Sequence, residues 1–483
     1  MRPRNDAGLP AISRTVAVLA LLMLAAAAGL RAGSGELSAD AILRAAVLVA
    51  AGLLAVRRDR VGVGVSILPV VGAAVPLAIG TGTQSNIVAA LALVPILLAL
   101  WAAGALISHD LRVARSPVNA PALFLVVVWG LALFDADVER DPLVWVPPTW
   151  TAIQLGALAV TVASCAALWL ALNAGRDARR IEVATWSFLA IGALAGAGFY
   201  LGVEARLPFL QTGGLFTMWV VALAYGQALF NAGLRWWARA GLGLLAAAWL
   251  YKALVLQTPF FSGWAAPLLA ALVITFVRSR LAGVGLSAVA SLAIGLNWDA
   301  VYDAVYGGAE AKGDLTRLDI WANAWDLFAH HPLLGTGPAG YAAYFQNFYG
   351  DTGFALSTHS TYWDVLLQTG VVGAAVFAWL LGSLLVVGCR ACARHRHGFA
   401  GGYAAAGVGG LVGLLLTMGM GDWFIPFVYN QTIAGFRYTV HSWVFLGFLA
   451  SLAVARRSPV QAGVGRSTPR PRVGTMSPAP AEG

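Results

Sequence analysis

Of 483 residues, 59% are hydrophobic and only 11% are charged, whereas a soluble globular chain carries roughly 25% charged residues. That balance excludes a soluble enzyme. The net charge of +9 does not point to nucleic acid, because the basic residues sit in short clusters between apolar runs rather than on one soluble face. Three cysteines, one inside an apolar run and two beside a basic cluster, make no disulfide framework.

A bilayer core of about 30 Å needs roughly 20 apolar helical residues. Spans are predicted near 14–30, 41–56, 61–80, 87–107, 118–134, 150–173, 182–202, 213–233, 240–256, 262–277, 281–296, 362–388, 402–420 and 434–455. Residues 1–30 resemble a signal peptide in layout, but with so many spans following they are read as an uncleaved first helix. The second and tenth runs are short enough to be re-entrant. The expected fold is therefore an all-α polytopic transmembrane helical bundle of 12–14 spans.

Lysine and arginine are retained in cytoplasmic connections. With the N-terminus inside, the inner segments hold Arg2, Arg4, Arg14, Arg57, Arg58, Arg60, Arg112, Arg115, Arg176, Arg179, Arg180, Arg235, Arg239, Arg278, Arg280, Arg390, Arg394, Arg396 and the tail arginines. Every second connection is basic, so count and orientation support each other. The chain then divides into transmembrane residues 1–296, an extracytoplasmic loop 297–361, a second transmembrane part 362–456 and a disordered cytoplasmic tail 457–483, whose Pro, Ser and Arg content lacks the apolar surface to pack.

Asn297 to Thr358 is by far the longest connection, and long loops are where function concentrates. Asp314 can cap a helix running to about Ala329, with Leu318, Trp321, Trp325 and Phe328 at three- and four-residue spacing. Pro332 and the Gly335, Gly337, Pro338 and Gly340 cluster end it in a turn, and Tyr341 to Tyr349 forms a second, aromatic helix. His359 precedes the next span, whose start carries Thr361 and Asp364 in a capping-box pattern. A helix N-terminus there would offer free N–H groups to a phosphate.

The residues Arg317-Leu-Asp-Ile-Trp321, His331-Pro-Leu-Leu-Gly-Thr-Gly-Pro338, His359-Ser-Thr-Tyr-Trp and Gln368-Thr-Gly-Val-Val-Gly373 together resemble the O-antigen ligase and polymerase superfamily of polytopic glycosyltransferases. The resemblance implies one large periplasmic loop with an arginine on a loop helix and a histidine where the chain re-enters the membrane. It implies transfer of a glycan from an undecaprenyl-diphosphate carrier to a hydroxyl of a glycolipid, glycan or protein acceptor, with no metal or nucleotide cofactor, in the bacterial cytoplasmic membrane. Arg317 matches the family's loop arginine, His359 its histidine, and Arg206 an earlier arginine. The sequence departs from the family at Ser360, where Asn is usual, at Gln368, where Glu is usual, and after Arg206, where Pro-Asn is missing.

On this reading Arg317 and Arg206 clamp the diphosphate, since a guanidinium stays charged and grips two oxygens at once, and His359 takes the acceptor proton or donates a hydrogen bond to the diphosphate. Lys252, about one turn inside its span, is a further candidate for the diphosphate, able otherwise to snorkel. Arg437, His441, Tyr341 and Tyr344 are candidate acceptor or carrier contacts, with interfacial anchoring and loop packing as the alternatives. Gly335, Gly337 and Gly340 spell a dinucleotide fingerprint without a preceding strand. Cys389, Cys392, His395 and His397 mimic metal spacing inside a basic cluster that needs no metal.

Ligase, polymerase and protein O-oligosaccharyltransferase branches are not separable at this level. A lipid-linked oligosaccharide flippase or transporter is the competing class, but it calls for mid-membrane charge and two related halves, and neither is evident in the sequence.

Overall fold

The computed structural model describes residues 61–82, 85–109, 113–207, 209–210, 212–256, 261–306, 317–350 and 357–454. The first two expected spans, Asp314 and the tail lie outside the described residues. From the third span onward each expected apolar run is met by a helix: α1 (Val61–Ala74), α2 (Ala89–Ser108), α3 (Asn119–Val138), α4 (Trp150–Ala174), α5 (Ala178–Tyr200), α6 (Phe216–Phe230), α7 (Trp236–Tyr251), α8 (Phe261–Arg278) and α9 (Arg280–Leu296). Three loop helices follow, α10 (Trp298–Tyr306), α11 (Arg317–His330) and α12 (Gly340–Phe348), then α13 (Thr361–Arg394), α14 (Gly398–Thr417), the short α15 (Val428–Gln431) and α16 (Phe436–Val454). Seven of these helices are long and apolar enough to cross a membrane, and shorter apolar helices accompany them. The protein is an all-α, multi-pass membrane protein.

One departure is local. The run 61–80 does not stay helical, because Pro76 drives the residue before it out of the α region; α1 stops at Ala74, and Ala78–Gly80 (β1) pairs antiparallel with Asn86–Val88 (β2).

α14 and α16 form the interior. α14 packs on α6 and α8, and α16 on α4 and α1, through small residues that let backbones approach, as in other membrane bundles. A Cβ at Gly409 would meet the Ala270 carbonyl at 2.7 Å, and one at Gly447 the Leu168 carbonyl at 2.3 Å. Outward-facing residues such as Leu281, Val289 and Leu292 stay exposed, as lipid-facing positions should.

The loop helices are folded against this bundle. On α11 the buried stripe is Ile320, Ala324 and Leu327; of the apolar face read from the sequence, Leu318 and Trp325 are exposed, while Trp321 and Phe328 are partly buried. α12 buries Tyr341, Tyr344 and Phe345 in a cluster with Trp150, Leu367 and Phe427.

α13 is broken at Gly370, which has φ 62° and ψ −166°, a conformation open essentially to glycine alone. A break of this kind strands peptide groups inside the protein, where each needs a partner. The turn after α11 supplies them: Thr336 donates from its N–H (2.8 Å) and hydroxyl (3.0 Å) to the Leu367 carbonyl, and the N–H groups of Val371 and Val372 donate to the carbonyls of Pro332 (2.8 Å) and Leu333 (3.4 Å). The Gln368 side chain accepts from the Ala339 N–H (2.6 Å) and donates to the Asp364 carbonyl (2.8 Å). The glycine-rich segment is therefore a backbone clasp.

A Cβ at Gly370 would lie 2.1 Å from the Leu333 carbonyl oxygen, whereas one at Gly382, on the same helix, meets nothing within 4 Å. Gly370→Ala is expected to cost at least ~2 kcal/mol of stability, and Gly382→Ala to be neutral or slightly stabilising. Thermal unfolding of both variants in detergent checks this, and equal midpoints would refute the clasp.

Candidate functional site

α13 begins at Thr361 with Ser360 as its N-cap, and no side chain caps it. The capping box expected from Thr361 and Asp364 does not form. Asp364 instead accepts from the Thr358 hydroxyl at 2.5 Å, and the Ser360 hydroxyl donates to the Met418 carbonyl at 3.2 Å. The reason is tertiary: the turn between α14 and α15 packs against the start of α13, and its Met418 and Gly421 carbonyls take the Thr361 N–H, while Gly421 also takes the Thr361 hydroxyl.

Within this frame His359 is half-buried, while Ser357, Thr358 and Ser360 are buried. Its backbone lies in the left-handed region, φ 53°, which an L-residue adopts at a cost when the surroundings hold it there. The holding contacts are specific. The His359 N–H donates to the Ser357 hydroxyl oxygen (3.0 Å), and that hydroxyl donates to Asp422 Oδ1 (3.1 Å). Asp422, itself buried, takes further bonds from Asn430 (3.1 Å) and Gln431 (3.3 Å to its carbonyl). From the other side the Trp321 indole N–H donates to the Thr358 carbonyl at 2.9 Å.

Arg317 opens α11, one turn before Trp321. Its guanidinium Nη1 lies 3.3 Å from the Met420 sulfur, so it meets the turn whose neighbouring residues hold the 357–361 segment. Burial lowers its pKa from the ordinary arginine value, yet an arginine there remains protonated at any physiological pH. Arg317 and His359, forty-two positions apart by number, are thus brought to the same turn, 418–422.

Arg206 is exposed on the 3-10 turn Glu204–Arg206. The partner of Glu204 is Lys252 at 3.5 Å, rather than Arg206. Lys252 is 6% exposed, starts the π-turn Lys252–Leu256, lies 3.9 Å from the Phe199 ring centre and lines a cavity that also contains Trp423. The residue after Asp422 therefore faces the Lys252 cavity.

The remaining predicted contacts lie elsewhere. Arg437 folds onto the Ala434 carbonyl (3.4 Å) and the Tyr438 ring. His441 is 1% exposed and packs on Phe188, because α16 is interior along nearly its whole length. Tyr341 and Tyr344 are buried at 0% and 3% exposure, which favours loop packing over sugar stacking. Burial raises the pKa of the Tyr341 hydroxyl, with Asp364 and Tyr349 adding to it. Among the described residues no three His, Cys, Asp or Glu side chains gather as metal ligands.

Sequence reasoning missed Ser357, Thr358, Met420, Asp422 and Trp423. Asp422 alone left a signal, as an acid at the end of an apolar run.

Residues 148–378 match the family model described as O-antigen ligase. Over those residues the chain is similar to the O-antigen ligase family. No curated protein matches the chain. The matched stretch includes Arg206, Lys252, Arg317 and His359, and it ends inside α13, so the Asp422 turn lies beyond it. The match supports a membrane function of the O-antigen ligase and polymerase type in polysaccharide biosynthesis.

Because Ser357 is shared between the His359 N–H and Asp422, a double-mutant cycle of Ser357→Ala and Asp422→Asn is expected to show a coupling of about 0.5–3 kcal/mol in unfolding stability. Strict additivity would mean that the two act independently.

Proposed function

We propose that the protein moves a glycan from an undecaprenyl-diphosphate carrier to an acceptor hydroxyl at the outer face of the bacterial cytoplasmic membrane, with both termini cytoplasmic and 297–361 as the extracytoplasmic loop. The observation that carries this reading is the convergence of Arg317 and His359 on one turn, with His359 braced by the Ser357 and Asp422 bonds.

In the proposed step the acceptor oxygen forms a bond to the anomeric carbon as the bond from that carbon to the diphosphate oxygen breaks. The bonding pair leaves with the diphosphate, whose growing charge Arg317 meets with a guanidinium in a water-poor site. Arg206, exposed on its turn, is a second diphosphate ligand. The acceptor proton passes to His359, for which a fixed backbone matters, because a general base works only within hydrogen-bond reach of the proton it removes. No metal is needed for this balance of charge and proton.

Transfer is measured with a purified lipid-linked glycan and protein in nanodiscs containing EDTA. His359→Ala is expected to lower the rate by about 10²–10⁴-fold and Arg317→Ala by about 10²–10³-fold, with folding intact. Unchanged rates in both variants would remove them from the site, and EDTA-sensitive transfer would refute the metal-free step.

A further inference from the structure

Ser357 and Thr358 precede His359, Ser360 and Thr361 follow it, and all four carry hydroxyls. Short hydroxyl side chains bond to nearby backbone and compete with helix, and here they hold the irregular path that leads into α13. Thr358 is fully buried. Its hydroxyl oxygen accepts the Ser360 N–H at 3.2 Å, and its carbonyl accepts from Trp321. The hydroxyl proton has two acceptors in reach, Asp364 Oδ1 at 2.5 Å and the Ser360 carbonyl at 3.0 Å; the carboxylate is nearer and, being charged, the stronger acceptor.

Asp364 lies on the first turn of α13 and is 3% exposed. Among the described residues Thr358 is the hydrogen-bond partner of its Oδ1, and Oδ2 has none. A buried carboxylate so lightly bonded costs free energy, and the helix end does not call for it: the Thr361 N–H goes to the Met418 and Gly421 carbonyls, and no side chain caps α13. What Asp364 does is orient the Thr358 hydroxyl.

Two hydroxyl–carboxylate pairs on successive residues therefore enclose His359. Asp422 orients Ser357, whose oxygen takes the His359 N–H; Asp364 orients Thr358, whose oxygen takes the Ser360 N–H. These two N–H groups belong to the peptide planes on either side of the His359 α-carbon. A planar peptide leaves only φ and ψ free, so holding both planes fixes the direction in which the imidazole leaves the backbone. We propose that Asp364 is a positioning residue for the transfer step, acting through Thr358 on the second of these planes. The proposal rests on the transfer reading and needs no contact between Asp364 and substrate. With that plane released, the strained φ of 53° is free to relax, which carries the imidazole away from the acceptor oxygen.

The test measures kcat and KM, for donor and acceptor separately, with the full chain in nanodiscs. Thr358→Val, which keeps the shape and removes the hydroxyl, and Asp364→Ala are each expected to lower kcat about 10–100-fold and to leave both KM values within about twofold of wild type. Thr358→Ser should recover most of the rate. In the His359→Ala background neither change should slow transfer further, because residues acting through one group are not additive. Hydrogen exchange of the same proteins is the second readout: the Ser360 amide should exchange faster in both variants, and the Thr361 amide, held by the α14–α15 turn, should not change. A further loss in the His359→Ala background, or a raised KM at unchanged kcat, would overturn the positioning role. So would faster exchange with kcat intact, which leaves the bond purely structural. Should Asp364→Ala not fold, Thr358→Val decides alone. Full transfer by His359→Ala would refute the transfer reading and this role together, whereas a harmless Thr358→Val beside an inactive His359→Ala would refute the role only.

Discussion

The break in α13 at Gly370 cannot exist alone. Peptide groups stranded in a membrane helix must find partners within the protein, and the 332–336 turn exchanges backbone bonds with Leu367, Val371 and Val372. That exchange ties the end of α11 to the middle of α13. Trp321 ties the start of α11 to the segment just before α13 through the Thr358 carbonyl. Two ties along one helix hold Arg317 in a fixed relation to His359, two positions before the α13 N-terminus.

The turn between α14 and α15 completes the arrangement. Its carbonyls, rather than a side chain, cap α13, and Asp422 reaches the His359 backbone through Ser357. Nearby positions of this turn serve different neighbours: Met420 faces Arg317, Asp422 faces Ser357, and Trp423 lines the Lys252 cavity. Buried polar networks of this kind favour one geometry, because a partly satisfied alternative leaves costly unpaired groups.

Glycine serves two ends in this protein. In α14 and α16 it brings helix backbones together, as at Gly409 and Gly447. In the clasp it permits a left-handed backbone, as at Gly335 and Gly370. The first use sets the scaffold and the second sets the loop upon it.

Among the described residues the positions of the apolar helices were legible in the amino-acid sequence, because the length and apolarity a bilayer demands are local properties. So were α11 and α12, though not α10 before them, and the resemblance to the O-antigen ligase family, carried by residues between Arg317 and Gly373. The early stop of α1 was also written locally, in Pro76, though its hairpin was not expected. The rest was decided by contacts between distant segments. Thr361 and Asp364 look like a capping box in isolation, but the α14–α15 turn takes over the cap. Glu204 looks like the neighbour of Arg206, yet it pairs with Lys252 across helices. His441 looks like an interfacial residue and is interior. Which partner a polar group takes depends on which surfaces the bundle brings together, and local periodicity carries no record of that.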